Sequence, residues 1–171
     1  FCQQNGWGVI SVRDYCRKHG RDETFLMDKV IMSRFGAAIH IYDTDQYFIV
    51  FNDTLTPEII RWTIAHEIGH IMLGHFRSSP NLLIRGVLSP KEYARCEAEA
   101  EWFARSLLAP APVLHRMNAT SKAQIMQLCG LDEHHSALCT VFLRGAWAYM
   151  EKQEELERSI VKQFAPYIAG R

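Results

Sequence analysis

Several things are scarce in this chain of 171 residues, and each scarcity removes a class of function. There is no net charge. Nineteen Lys and Arg balance nineteen Asp and Glu, so no broad field gathers nucleic acid or an anionic membrane surface, and partners must be recognised locally. Long apolar runs are missing: stretches such as Ala137 to Leu143 fall far short of the roughly 20 residues that cross a bilayer. There is no CxxC pair, and the five cysteines (Cys2, Cys16, Cys96, Cys129 and Cys139) are an odd set. That fits neither a disulfide framework nor a thiolate zinc knuckle, and it points to free thiols in a reducing, cytoplasmic setting. The chain opens at Phe1 without an initiator methionine; this is consistent with a removed leading segment, so the lack of a signal peptide carries little weight. What remains is the composition of a globular domain with a real core, 48% hydrophobic and 22% charged.

Along the chain, Val9 to His19 reads as a short amphipathic helix stopped by Gly20. From Ala37 to Phe51 the pattern turns to β-branched and aromatic residues around Asp43-Thr44-Asp45-Gln46, which predicts a β-hairpin. Thr56-Pro57-Glu58 is a helix start: threonine can cap, proline suits the first turn, and an acid favours the positive end of the dipole. The helix that follows is apolar on nearly every side, through Ile59, Ile60, Trp62, Ile64, Ile68, Ile71 and Met72, so it is expected at the centre of the fold and to end at Gly74. Arg77 to Pro90 reads as a loop over the site. Lys91 to Leu108 forms a second helix, stopped by the prolines of Ala109-Pro110-Ala111-Pro112 and held by packing of Trp102, Phe103, Leu107 and Leu108. Two more helices, Lys122 to Cys129 and Asp132 to Leu143, flank Gly130, and a last one carries Leu156, Ile160 and Phe164 before Pro166.

The central helix carries the chemistry. His66, Glu67 and His70 have HExxH spacing, so two imidazoles one turn apart reach one metal ion while the glutamate sits beside an activated water. Five-residue patterns also arise by chance, but an apolar helix and a downstream acidic one add weight. A catalytic zinc takes three protein ligands and leaves one position open, so a third is needed. The segment Cys96 to Ala104 offers Glu97, Glu99 and Glu101 on an otherwise apolar helix. His75 misses the three-histidine spacing H-E-x-x-H-x-x-G-x-x-H: Gly74 and His75 fall four and five residues after His70. It reads instead as a helix-end histidine or a support for a ligand. Glu67 would take the proton of the attacking water and pass it to the leaving amine. Arg77, Tyr93 and His115 are the polar candidates for stabilising the oxyanion.

Two separated pieces, Thr63 to His75 (TIAHEIGHIMLGH) and Glu97 to Pro110 (EAEAEWFARSLLAP), make the chain resemble the ImmA/IrrE metallopeptidases over most of residues 35 to 145. The resemblance implies an α+β, zincin-like fold, mostly helical, with a small antiparallel sheet before the HExxH helix. It implies zinc held by His66, His70 and Glu97, with Glu99 the competing ligand. Glu97 is preferred because it stands four residues before a position that commonly carries asparagine or aspartate; here that position is Glu101, a departure from the family pattern. By the same resemblance one hairpin strand accepts an extended peptide, and the substrate is a DNA-binding repressor or regulator in phage, mobile-element or stress control.

We expect residues 1–145 to form the metallopeptidase domain, including a helical pair at 121–143, with a C-terminal helix in 146–171 packed on it. We expect no membrane partner. The alternatives are a zinc-binding interaction module without catalysis, or a helix-turn-helix regulator using the 121–143 pair. Direct nucleic-acid binding is disfavoured by Asp132-Glu133 at the end of the second helix, which would approach phosphates.

Overall fold

The computed structural model describes residues 1–76, 88–150 and 155–170, the side chains of 42 and 148–150 excepted. Residues 77–87, most of the loop expected between Arg77 and Pro90, lie outside the described residues. The chain divides into two compact units, Phe1–Ala104 and Arg105–Arg171.

The first unit is α+β, and its first strand is β1, Gly8–Ser11. This corrects the sequence reading, which ran a helix from Val9. Val9 and Ile10 are β-branched and pair with Ile49 and Val50 of a later strand, and helix α1 starts only at Val12. The switch is made by Ser11, whose extended backbone and Oγ cap the helix by accepting the Asp14 N–H at 3.0 Å. α1 spans Val12–His19 and ends at Gly20 in the left-handed region. A short helix α2, Glu23–Phe25, is capped by Asp22 and runs into a π-helical stretch, Leu26–Ile31.

Strands β2 (Gly36–Ile41) and β3 (Gln46–Phe51) form the expected antiparallel hairpin, with Ala38 opposite Ile49. β1 adds to β3 in parallel, so the sheet is mixed, in the order β1-β3-β2, and larger than the hairpin alone. Strand alternation divides the core between its faces. Ala37, Ile39 and Val50 pack with Val12, Cys16, Leu26 and Ile31. Ala38 and Ile49 point the other way, to Ile68, Ile71 and Phe76.

That second face lies under helix α3, Pro57–Met72. Pro57 and Glu58 occupy its first turn as expected, but Thr56 makes no side-chain hydrogen bond at the cap. The helix sits close on the sheet. A Cβ at Gly36 would come within 2.5 Å of the Val50 carbonyl oxygen and 3.0 Å of Thr63 Cγ2, so β2 enters the sheet at a point where any side chain would force it away from α3. Helix α4, Pro90–Leu108, is opened by a reciprocal cap: Ser89 Oγ accepts the Glu92 N–H, and Glu92 Oε2 accepts from the Ser89 N–H at 3.0 Å.

The expected packing role of the large residues on α4 needs correction. Trp102 and Leu107 are more than half exposed, whereas Ala100 and Ala104 are fully buried. Small residues take the contact face because α4 approaches α3 closely at Gly69, and Phe103 packs against the core beneath.

The second unit contains α5 (Ala111–Arg116), α6 (Lys122–Cys129), α7 (Glu133–Met150), α8 (Glu155–Gln163) and α9 (Ala165–Ala169). Ser121 and Gln124 form a capping box at α6, Gly130 closes it in the left-handed region, and Asp132 Oδ1 accepts the His134 and His135 N–H groups at the start of α7. α7 continues well beyond Leu143, because no glycine in left-handed conformation or proline interrupts it. The final helix is broken where one was expected: α8 stops at Gln163, and Pro166 lies in the first turn of α9. α8 lies against α5, although Leu156 itself is 72% exposed. Among the described residues no helix is long and apolar enough to cross a membrane.

Candidate metal centre

His66 and His70 stand one turn apart on α3, and α4 brings Glu97 against both. His66 Nε2 and His70 Nε2 are 3.1 Å apart. Glu97 places Oε2 3.5 Å from the first and Oε1 3.6 Å from the second. Tetrahedral coordination with metal–N and metal–O distances of about 2.0–2.1 Å separates its donors by roughly 3.3 Å. The donor set fits that geometry, and the three residues could hold a metal ion.

Electrostatics act differently on the three donors. Burial, then the charge of His66, pushes the His70 pKa down to about 3, so this ring is neutral at ordinary pH and keeps a lone pair for a metal. Burial alone would depress His66 too, but the hydrogen bond to Glu97 and the charges of Glu67, Glu97 and Glu101 outweigh it and raise its pKa. Desolvation works against ionisation of Glu97. The hydrogen bond with His66, a hydrogen bond from the Tyr93 hydroxyl and the charge of His66 prevail and hold it below the ordinary carboxylate range.

The meeting of α3 and α4 depends on Gly69, inside the HExxH motif. A Cβ there would lie 3.1 Å from Phe103 Cβ and 3.2 Å from Ala100 Cα and O. Gly69→Val is therefore expected to cost about 1–3 kcal/mol by overpacking and to weaken metal binding by levering Glu97 from the histidines. Denaturant melts and zinc titration check both; unchanged values would mean that the helices do not touch there.

Glu67 lies beside the donor cluster and is tied to the sheet. Its Oε2 accepts the Ala38 N–H at 2.7 Å, and burial raises its pKa. A carboxylate so placed binds a proton more readily than an exposed one and is oriented by a backbone dipole.

Of the other sequence candidates, Glu99 turns away from the cluster to His75 Nε2 at 3.0 Å. Glu101 is exposed and, among the described residues, makes no hydrogen bond to a ligand; it reaches His66 only through its charge. Tyr93 is engaged with Glu97. His115 lies in the second unit, its ring tilted against Trp147 at 4.3 Å. Arg77 is outside the described residues. The sequence reading missed two roles. Tyr93 as partner of Glu97 was legible, since the two are four apart on one helix. The Ala38 N–H was not, since a backbone donor leaves no trace in side-chain identity.

Residues 29–134, more than half of the chain, match the family model Peptidase_M78, the IrrE N-terminal-like domain. No curated protein matches the chain.

Proposed function

This chain belongs to the IrrE N-terminal-like family of metallopeptidases, and from that premise we propose that it is a zinc-dependent endopeptidase acting on a DNA-binding repressor or regulator in phage, mobile-element or stress control. The observation that carries the reading is the convergence of His66, His70 and Glu97, with Glu67 beside them and free of ligand duty.

His66, His70 and Glu97 would hold the ion. Zinc held there would supply Lewis acidity, polarising the scissile carbonyl and bringing the pKa of a water to about 7. Glu67 does the proton work. Steadied by the Ala38 N–H, it takes a proton from the attacking water as the new C–O bond forms, and gives it to the nitrogen as the C–N bond breaks. Its raised proton affinity suits a group that must hold the proton between the two steps.

Substrate binding follows from β2. It is the edge strand on the site's side of the sheet, and Ala38, two residues before His40, ties it to Glu67. An extended peptide laid along this edge gains affinity from backbone pairing and needs few side-chain pockets. A flexible segment of a regulator suits such a site. We place the protein in the cytoplasm, which suits five cysteines of which none forms a disulfide.

The test is metal analysis joined to cleavage of candidate repressors, with and without chelator. The expected outcome is stoichiometric zinc, with cleavage lost on chelation and restored by zinc. Zinc without cleavage of any peptide would favour a non-catalytic interaction module, and absence of metal would remove the reading.

A further inference from the structure

We propose that His75 and Glu99 are positioning residues of the metal centre, joined to His70 in one hydrogen-bonded chain that fixes which ring nitrogen of His70 is bare and where it points. The inference rests on the metal centre proposed above.

The chain is built by the way α3 ends. Gly74 adopts φ +71°, its N–H donates to the Ile71 carbonyl at 3.1 Å, and the His75 N–H donates to the His70 carbonyl at 3.1 Å. These are the two bonds of a Schellman motif, in which the residue after the glycine folds back over the third-last residue of the helix and commonly makes a hydrophobic contact with it. Here those two residues are His75 and His70, and the contact is polar. Their Nδ1 atoms are 2.8 Å apart, with ring centroids 4.9 Å apart at 71°. The five-residue offset that fails the three-histidine pattern is the offset this helix end requires.

Proton positions then follow from the far end inward. Glu99 Oε2 lies 3.0 Å from His75 Nε2, and a carboxylate only accepts, so that nitrogen carries the hydrogen. In a neutral ring His75 Nδ1 is then an acceptor, and His70 Nδ1 must donate to it. His70 Nε2 is left as a bare lone pair, and it is the atom that faces His66 Nε2 at 3.1 Å and Glu97 Oε1 at 3.6 Å. No other arrangement of neutral tautomers satisfies both contacts. The His75 side chain is only 6% exposed, so the link is shielded from water. Beyond it, Arg95 Nε approaches Glu99 Oε1 at 3.8 Å on an exposed face and adds little.

Zinc affinity by chelator competition and the visible spectrum of the cobalt-loaded protein test this in the full chain. His75→Leu is expected to bind zinc about 10–100-fold more weakly, the usual cost of losing a ligand's hydrogen-bonding partner, with a shifted cobalt spectrum. His75→Gln, whose amide can accept from His70 and donate to Glu99, should recover most of the affinity and the spectrum. Glu99→Gln keeps an acceptor oxygen but loses the charge, and should fall between wild type and His75→Leu. Wild-type affinity and spectrum in His75→Leu, even with a lowered melting temperature, would reduce His75 to a structural residue and overturn the proposal. Should His75→Leu not fold, Glu99→Gln decides, and wild-type affinity there overturns it. Failure of the wild-type protein to bind zinc or cobalt is a different result: it removes the centre itself, and the proposal with it.

Discussion

Glu67→Gln is expected to retain its zinc and to lose peptide hydrolysis by about 10²–10⁴-fold, the usual contribution of a positioned acid–base group. The reasoning is geometric before it is electrostatic. Glu67 lies next to His66 in the sequence, but its Oε2 is spent on the Ala38 N–H at 2.7 Å, so the donor cluster does not need it. The glutamine amide has nearly the same shape and offers the same carbonyl oxygen to Ala38, so the strand–helix contact survives. It cannot take a proton from water or return one to an amine. Zinc content and single-turnover cleavage of one peptide, measured on the same preparation, separate the two properties. Cleavage at the wild-type rate would sink the mechanism; loss of zinc together with activity would make Glu67 part of the metal site instead.

Glu97→Ala is expected to lose zinc by more than about 100-fold in affinity, because even groups that only support a ligand are worth 10–100-fold. It removes an oxygen pair that stands 3.5 and 3.6 Å from the two imidazole nitrogens and leaves a cluster of two donors. Glu99→Ala should lose less, since its carboxylate reaches the site only through His75. The order of the two variants is the informative result. Retained zinc in Glu97→Ala, or a larger loss in Glu99→Ala, would exchange their roles.

Much of this site could be read before any fold was known, and the reasons are local. A helix repeats every 3.6 residues, so His66 and His70 must share a face wherever that helix lies. The apolar surroundings from Ile59 to Met72 require that it be buried, and Gly74 ends it in the left-handed region. The hairpin was legible for the same kind of reason. Readings failed where a short-range pattern had two solutions. Val9 and Ile10 suit a helix face as well as a strand, and only β3 lying alongside makes them a strand. Trp102 and Leu107 have the residue type of a core, but α4 meets the neighbouring helix through Ala100 and Phe103 instead.

The same division holds within the site. Residue spacing put the two histidines on one helix face with the glutamate between them and called for a third donor from the acidic segment; these follow from chain geometry and coordination number. Which carboxylate serves is not a property of Glu97 or Glu99 alone, as both are oxygen donors on one helix two residues apart. It is decided by the rotation at which α4 docks on α3, and that rotation is set by the contact of Gly69 with Ala100 and Phe103, about thirty positions away in the chain. The partners of Glu67 and His70 are likewise tertiary: a strand pressed under α3 at Gly36, and a helix end that folds His75 back. Periodicity fixes neighbours within one element, but contacts between elements depend on how closely their surfaces pack.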